Sequence, residues 1–147
     1  MKNPTDATRI LVGVDGSNSS IEALREAARI SAAFGVPLEA ITTWEFPVML
    51  DGAYSRIEDW SPEEDAQHIL SDAINQAFGD APPGGLERTI LEGSPARVLI
   101  DESKSASMLV LGSRGHGGFV GLLLGSVSAT CAEHAHCPVL IMHGTAH

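Results

Sequence analysis

Met108-Leu-Val-Leu-Gly112-Ser-Arg-Gly115-His-Gly-Gly-Phe-Val-Gly121-Leu-Leu-Leu-Gly125-Ser-Val-Ser128 is the stretch on which the fold turns. Its first four residues form an apolar run with the length and branching of a buried parallel strand. The run stops at once in Gly112, Ser113, Arg114 and Gly115. Gly117, Gly118 and Gly121 keep the following loop able to adopt positive φ and to bring bare backbone close to a ligand. Gly125 and Ser126 then open a helix. A strand, a glycine-rich turn and a helix N-terminus together favour an anion, because unpaired amides and the positive end of the helix dipole point the same way.

Working outward, Arg9 to Val14 reads as a central parallel strand ending in Asp15 and Gly16. A helix follows with Ile21, Leu24, Ala28 and Ser31 on its apolar face. Ser19 and Glu22 stand at capping-box spacing, and Gly35 and Pro37 supply the stop. Leu38 to Trp44 is rich in β-formers and reads as a second strand. Residues 45–60 lack periodicity and read as a long connection, with Tyr54 and Trp60 placed to pack on the surface or to fold over a ligand mouth. Ser61-Pro62-Glu63-Glu64 starts a helix that runs to about Phe78.

The cluster Gly79 to Gly85 turns the chain, and Leu86 to Leu91 forms the third strand. Ser94-Pro95 opens a capped third helix whose apolar face uses Val98, Leu99 and Ile100. Past Gly125 the fourth helix carries Val127, Thr130, Cys131 and His134 on one side, and Pro138 to Met142 is the last strand. Five strands alternating with four helices imply an α/β fold, a parallel sheet covered on both faces. Residues 1–8 and 143–147 read as loose ends of one domain.

Composition narrows the function. A formal net charge of −10 repels a nucleic acid backbone, and the nine Lys and Arg residues are scattered. No window approaches a membrane span and the start lacks the apolar middle of a signal peptide, so a cytoplasmic protein is expected. Cys131 and Cys137 form no C-x-x-C pair and read as small buried hydrophobes. His134, His136 and Cys137 lack a fourth ligand at a recognisable metal spacing. With so much negative charge on the chain, a triphosphate ligand would need local amides, Arg114 or a divalent ion.

The spacing Gly112-x-x-Gly115, nine residues, then Gly125-Ser126 differs from the phosphate loop and from the dinucleotide fingerprint. It resembles the nucleotide motif of the universal stress protein family, in its ATP-binding branch. The similarity runs from Ile10-Leu-Val-Gly-Val-Asp15 through Gly93-Ser94-Pro95 to Pro138-Val-Leu-Ile141. It implies a Rossmann-like sheet of order 3-2-1-4-5, with the site at the carboxyl ends of strands 1 and 4, where Asp15 lies next to Gly112. It implies that Gly112, Gly115, Gly125 and Ser126 hold phosphates and ribose, with Ser113, Arg114, Val127 and Ser128 at neighbouring positions. Gly13, Val14 and Asp15 would line the other side of the nucleoside. Thr43 would meet the adenine through its backbone, although this chain has Thr42-Thr43 where a His-Val pair is frequent.

ATP with Mg2+ or Mn2+ is the implied ligand, Asp15 the residue nearest the metal, and a homodimer through Val139 to Met142 the implied assembly. Asp15 and Ser126 also have local readings, as acceptors for the first amides of their helices. Three functions stay open: a nucleotide-binding regulator, a slow ATPase or autokinase using Asp15 with Ser126 or Ser128 as acceptor, and a nucleotide-free dimer module. The regulator is favoured, because no phosphate-loop lysine, arginine finger or water-positioning base is visible.

Overall fold

A computed structural model describes residues 9–46, 61–114 and 124–144. The loop holding Tyr54 and Trp60, the glycines Gly115, Gly117, Gly118 and Gly121, and the chain ends 1–8 and 145–147 lie outside these residues. The elements run β1 (Ile10–Gly13), α1 (Asn18–Phe34), β2 (Leu38–Trp44), α2 (Pro62–Phe78), β3 (Glu87–Glu92), α3 (Pro95–Ser103), β4 (Met108–Gly112), α4 (Ser126–His134) and β5 (Val139–Met142). The strands form one parallel sheet of order β3-β2-β1-β4-β5. Among the described residues no helix is long and apolar enough to cross a membrane.

Period-2 alternation in the strands sends their apolar residues to two separate cores. Ile10, Val12, Val14, Leu38, Ala40 and Val110 meet Ile21, Leu24 and Ala27 of α1 and Leu70, Ala73 and Ile74 of α2 on one face. Leu11, Ile41, Leu109 and Leu111 meet Leu99 of α3 and Cys131 of α4 on the other. A strand buried on both sides has to be apolar at every position, and β1 is: all four of its residues are buried.

Caps set the helix ends. Ser61 accepts the amide of Glu64 at 3.2 Å, with Pro62 at the first helical position, as the sequence implies. The cap of α1 differs from the expected Ser19–Glu22 box. Ser17 is the N-cap, accepting the amide of Ser20 at 3.3 Å, and Gly35 closes the helix in the left-handed region at φ 68°. Ser94 precedes α3 as expected but makes no side-chain cap bond. In α4 the buried side is Ser128 and Cys131, whereas Thr130 and His134 are exposed.

At the amino end of the sheet, Arg9 bonds Glu39, the Glu102 carbonyl and carboxylate at 3.0 Å each, and Ser105 at 3.0 Å. Thr89 donates to the other Glu39 oxygen at 2.6 Å. This network ties α3 to three strands. The opposite end, where the strands point their carboxyl groups, carries the candidate site.

Candidate nucleotide site at the carboxyl ends of β1 and β4

β1 pairs β2 on one side and β4 on the other, so the winding of the chain reverses between β1 and β4. A parallel sheet opens a crevice beyond its strands at such a point. The register pairs Val12 with Val110, and three residues beyond each stand Asp15 and Ser113, on the same rim.

Asp15 is exposed, and its Oδ1 accepts both the amide of Ser17 at 2.9 Å and the Ser17 hydroxyl at 2.6 Å. Oδ2 makes no hydrogen bond among the described residues. One carboxylate oxygen thus shapes the turn into α1 while the other faces outward. Val14 is buried. Its amide donates to the Ile41 carbonyl at 2.8 Å, and its carbonyl accepts the Thr42 hydroxyl at 2.8 Å. Thr42, not singled out from the sequence, therefore fixes the strand end beside Asp15. Thr43 follows half-buried at the end of β2, paired with Leu91.

Gly112 and Gly13 are glycines for a reason that the motif does not state. A Cβ on Gly112 would lie 2.3 Å from Ser19 Oγ and 2.7 Å from the backbone of Ser19 and Ser20. The first turn of α1 thus rests directly on the end of β4. At Gly13 a Cβ would lie 2.7 Å from Leu111 and 2.9 Å from Leu99, both flexible side-chain ends. Neither position needs a ligand to explain its residue.

From β4 the chain passes into tightly held backbone. Ser113 is buried; its amide donates to the Met142 carbonyl at 2.7 Å, and its carbonyl accepts the Gly125 amide at 2.6 Å and the Ser128 hydroxyl at 3.0 Å. Ser128 is buried as well, with its hydroxyl shared between Ser113 and the Gly125 carbonyl at 3.1 Å. Any ligand contact from Ser128 must therefore come through its amide. Val127 is half-buried against the second core, and Ser126 is exposed. Arg114 is exposed at the rim.

α4 begins at Gly125 without any side-chain cap. Gly125 has φ −73° and ψ 167°, extended backbone open to any residue, so its glycine is not required by conformation. Among the described residues no side chain caps the first-turn amides of Ser126, Val127 and Ser128, which stand at the positive end of the helix dipole. Among the described residues the geometry brings Gly13, Val14, Asp15, Gly112, Ser113, Arg114, Gly125, Ser126, Val127 and Ser128 to this end of the sheet; Gly115 lies outside them.

Metal-binding chemistry is sparse: among the described residues no group of three or more His, Cys, Asp or Glu could hold an ion. A cation here would have Asp15 as its protein ligand and would depend on ligand phosphates for the rest, which suits a Mg2+ ion. Both cysteine thiols are shifted upward. Burial, and then the nearby Cys137, push the Cys131 thiol up to about 11. Cys137, half-buried rather than buried, is also raised, chiefly by burial.

A universal stress protein of Mycolicibacterium smegmatis is 36% identical to this chain over 141 residues, covering 92% of it and 48% of the relative. The chain spans about half the length of the mycobacterial relatives it matches. Among solved structures, a universal stress protein in complex with cAMP superposes with a TM-score of 0.69 at 30% identity, covering 94% of this chain and 98% of its own. A universal stress protein from Archaeoglobus fulgidus in complex with dAMP, 22% identical, shares the fold with a TM-score of 0.65, over 92% of this chain and 97% of its own. With a match to the description "Universal stress protein family" over residues 7–143, the chain belongs to that family.

Proposed function

We propose that this protein binds an adenine nucleotide, ATP with a divalent cation, at the rim between β1 and β4, and that occupancy regulates its partners in a stress response within the cytoplasm. The uncapped start of α4 carries this reading: three amides and a helix dipole converge on the crevice where open parallel sheets take ligands. A relative of 30% identity described in complex with cAMP supports the adenine nucleotide. Gly112, Ser113, Arg114, Gly115, Gly125, Ser126, Val127 and Ser128 surround phosphates and ribose in this reading. Gly13, Val14 and Asp15 line the nucleoside, and the Thr43 backbone meets the base. Asp15 together with the phosphates holds Mg2+ or Mn2+, which would neutralise phosphate charge in a strongly acidic protein.

Mass spectrometry of small molecules released from gently purified protein tests this directly. An adenine nucleotide near one per chain is expected. No nucleotide released, together with no heat on titration with ATP or cyclic AMP, would leave only the nucleotide-free dimer module.

Assembly follows from the sheet edges. β3 guards its edge with exposed Glu87, Arg88 and Glu92, whereas β5 offers only Val139, Leu140, Ile141 and Met142, all half-buried. A homodimer pairing β5 with its copy is the proposed state. Sedimentation of Leu140→Lys and Val139→Pro should give monomers; a dimer surviving both changes would move the interface elsewhere.

A further inference from the structure

Ser19 sits in the first turn of α1 with 5% of its surface exposed. Its hydroxyl contributes nothing to the cap of that helix. Oγ donates to the Arg114 carbonyl at 2.7 Å and accepts the Arg114 amide at 3.3 Å, across 95 residues of sequence. One hydroxyl thus holds both polar groups of one residue's backbone. Ser113 is held from elsewhere, by Met142, Gly125 and Ser128. Every backbone amide and carbonyl of Ser113 and Arg114 therefore has a partner, and only those of Arg114 are supplied by the α1 side of the crevice.

That side also bears Asp15, four residues before Ser19, whose carboxylate is locked to Ser17. The contact of Ser19 with Arg114 therefore sets the distance between two walls: the β1–α1 turn with Asp15, and the β4 end leading into the glycine-rich segment. We propose that Ser19 is a positioning residue for the nucleotide site, holding the Arg114 backbone at the spacing that an adenine nucleotide needs; this rests on the nucleotide-binding reading above. Arg114 is exposed, so water can replace the lost bonds when the hydroxyl is removed, and the fold loses little. The binding site loses its preset geometry, which affinity registers more strongly than stability does.

The test uses the full chain with Ser19→Ala, titrated calorimetrically with magnesium ATP and, in parallel, cyclic AMP. For whichever nucleotide the wild type binds, affinity should fall about five- to tenfold, the order expected when a lost hydrogen bond removes the preset geometry of the site. Hydrogen exchange at the Arg114 amide should accelerate, and Ser19→Thr, which restores the hydroxyl, should recover most of the affinity. Ser103→Ala is the control for a general structural effect: Ser103 is equally buried and bridges the Ile100 carbonyl at 2.6 Å and the His136 amide at 2.9 Å, at the far end of α3. It should lower stability and leave affinity unchanged. Wild-type affinity in Ser19→Ala, or an equal loss in Ser103→Ala, overturns the positioning role alone. A wild-type protein that binds neither nucleotide overturns the nucleotide reading and this role with it.

Discussion

α1 and α4 begin at the same end of the sheet, on opposite faces, and they begin in opposite ways. At α1 the local side chains consume the helix start: Ser17 takes the amide of Ser20, and Asp15 takes the amide and hydroxyl of Ser17. At α4 the cap residue is Gly125, which has no side chain to offer, and its own amide is turned back to Ser113. An end whose cap side chain already takes a first-turn amide has less to offer an external anion than one that, among the described residues, has no side-chain cap. In the proposed reading the two helices do different work. α4 is the surface that would receive phosphate, and α1 is a fixed wall that holds Asp15 and Arg114 in place.

The largest effect should come from unseating that wall. Gly112 lies so close to Ser19 and Ser20 that even one Cβ meets their backbone at 2.7 Å. Backbone cannot move aside as a side-chain end can. Gly112→Val should therefore destabilise the protein by about 3 kcal/mol or more, at the upper end of overpacking costs, seen as a lower urea midpoint. Gly13→Ala, which meets only the ends of Leu111 and Leu99, should cost about 1 kcal/mol. Equal midpoints for the two variants would show that α1 is not seated as described.

Converting α4 into a second α1 is the next test. The backbone of Gly125 already has the extended conformation of a cap, so Gly125→Asp can place a carboxylate on the amides of the first turn. The helix should hold, while the carboxylate competes for the proposed phosphate position and repels it. ATP affinity should drop about a hundredfold, equivalent to about 2.7 kcal/mol. Calorimetry showing undiminished ATP binding in this variant, with normal circular dichroism, would remove α4 from the site.

The sequence made the helices and strands legible because their signals are local. Ser61-Pro62 and Gly35 mark helix ends by chemistry that acts within a few residues, and β2 and α2 lie where the β-forming run and the Ser61-Pro62 start place them. The cap of α1 was not legible, because Ser17, Asn18, Ser19 and Ser20 are all good cap residues and local rules cannot choose among them. What separates them is tertiary: Ser19 is committed to Arg114. The same limit applies to Gly112, whose place in a glycine motif pointed to a ligand while a helix early in the chain already requires it. Val14 and Ser128 were identified by resemblance, yet the bonds that occupy them, from Thr42 and to Ser113, connect distant segments and leave no periodic trace.

Removing the cap of α1 should show how little of that helix start faces the ligand. Ser17→Ala deletes the bond to Ser20 and one of the two bonds to Asp15, and should cost about 1 kcal/mol of stability. Its effect on ATP affinity should stay within about twofold, since no α1 amide is proposed to contact phosphate. A large loss of affinity with unchanged stability would reverse the roles assigned to the two helices.

The smallest effect concerns catalysis. Efficient phosphoryl transfer needs charge placed against the transition state, and typical enzymes reach roughly 1 to 1000 turnovers per second by such means. Backbone amides at the start of α4 hold ground state and transition state alike, which favours binding without acceleration. Asp15, the carboxylate just past the end of β1, is half committed to Ser17, which leaves one oxygen for a cation. Arg114 is exposed at the rim and is the cationic side chain that the proposed site places beside the phosphates. Hydrolysis at saturating ATP should stay below about one turnover per minute, well under the enzymatic range. Steady-state phosphate release decides between the readings: several turnovers per second, abolished by Asp15→Asn, would make the same rim an active site and α1 a catalytic wall rather than a passive one.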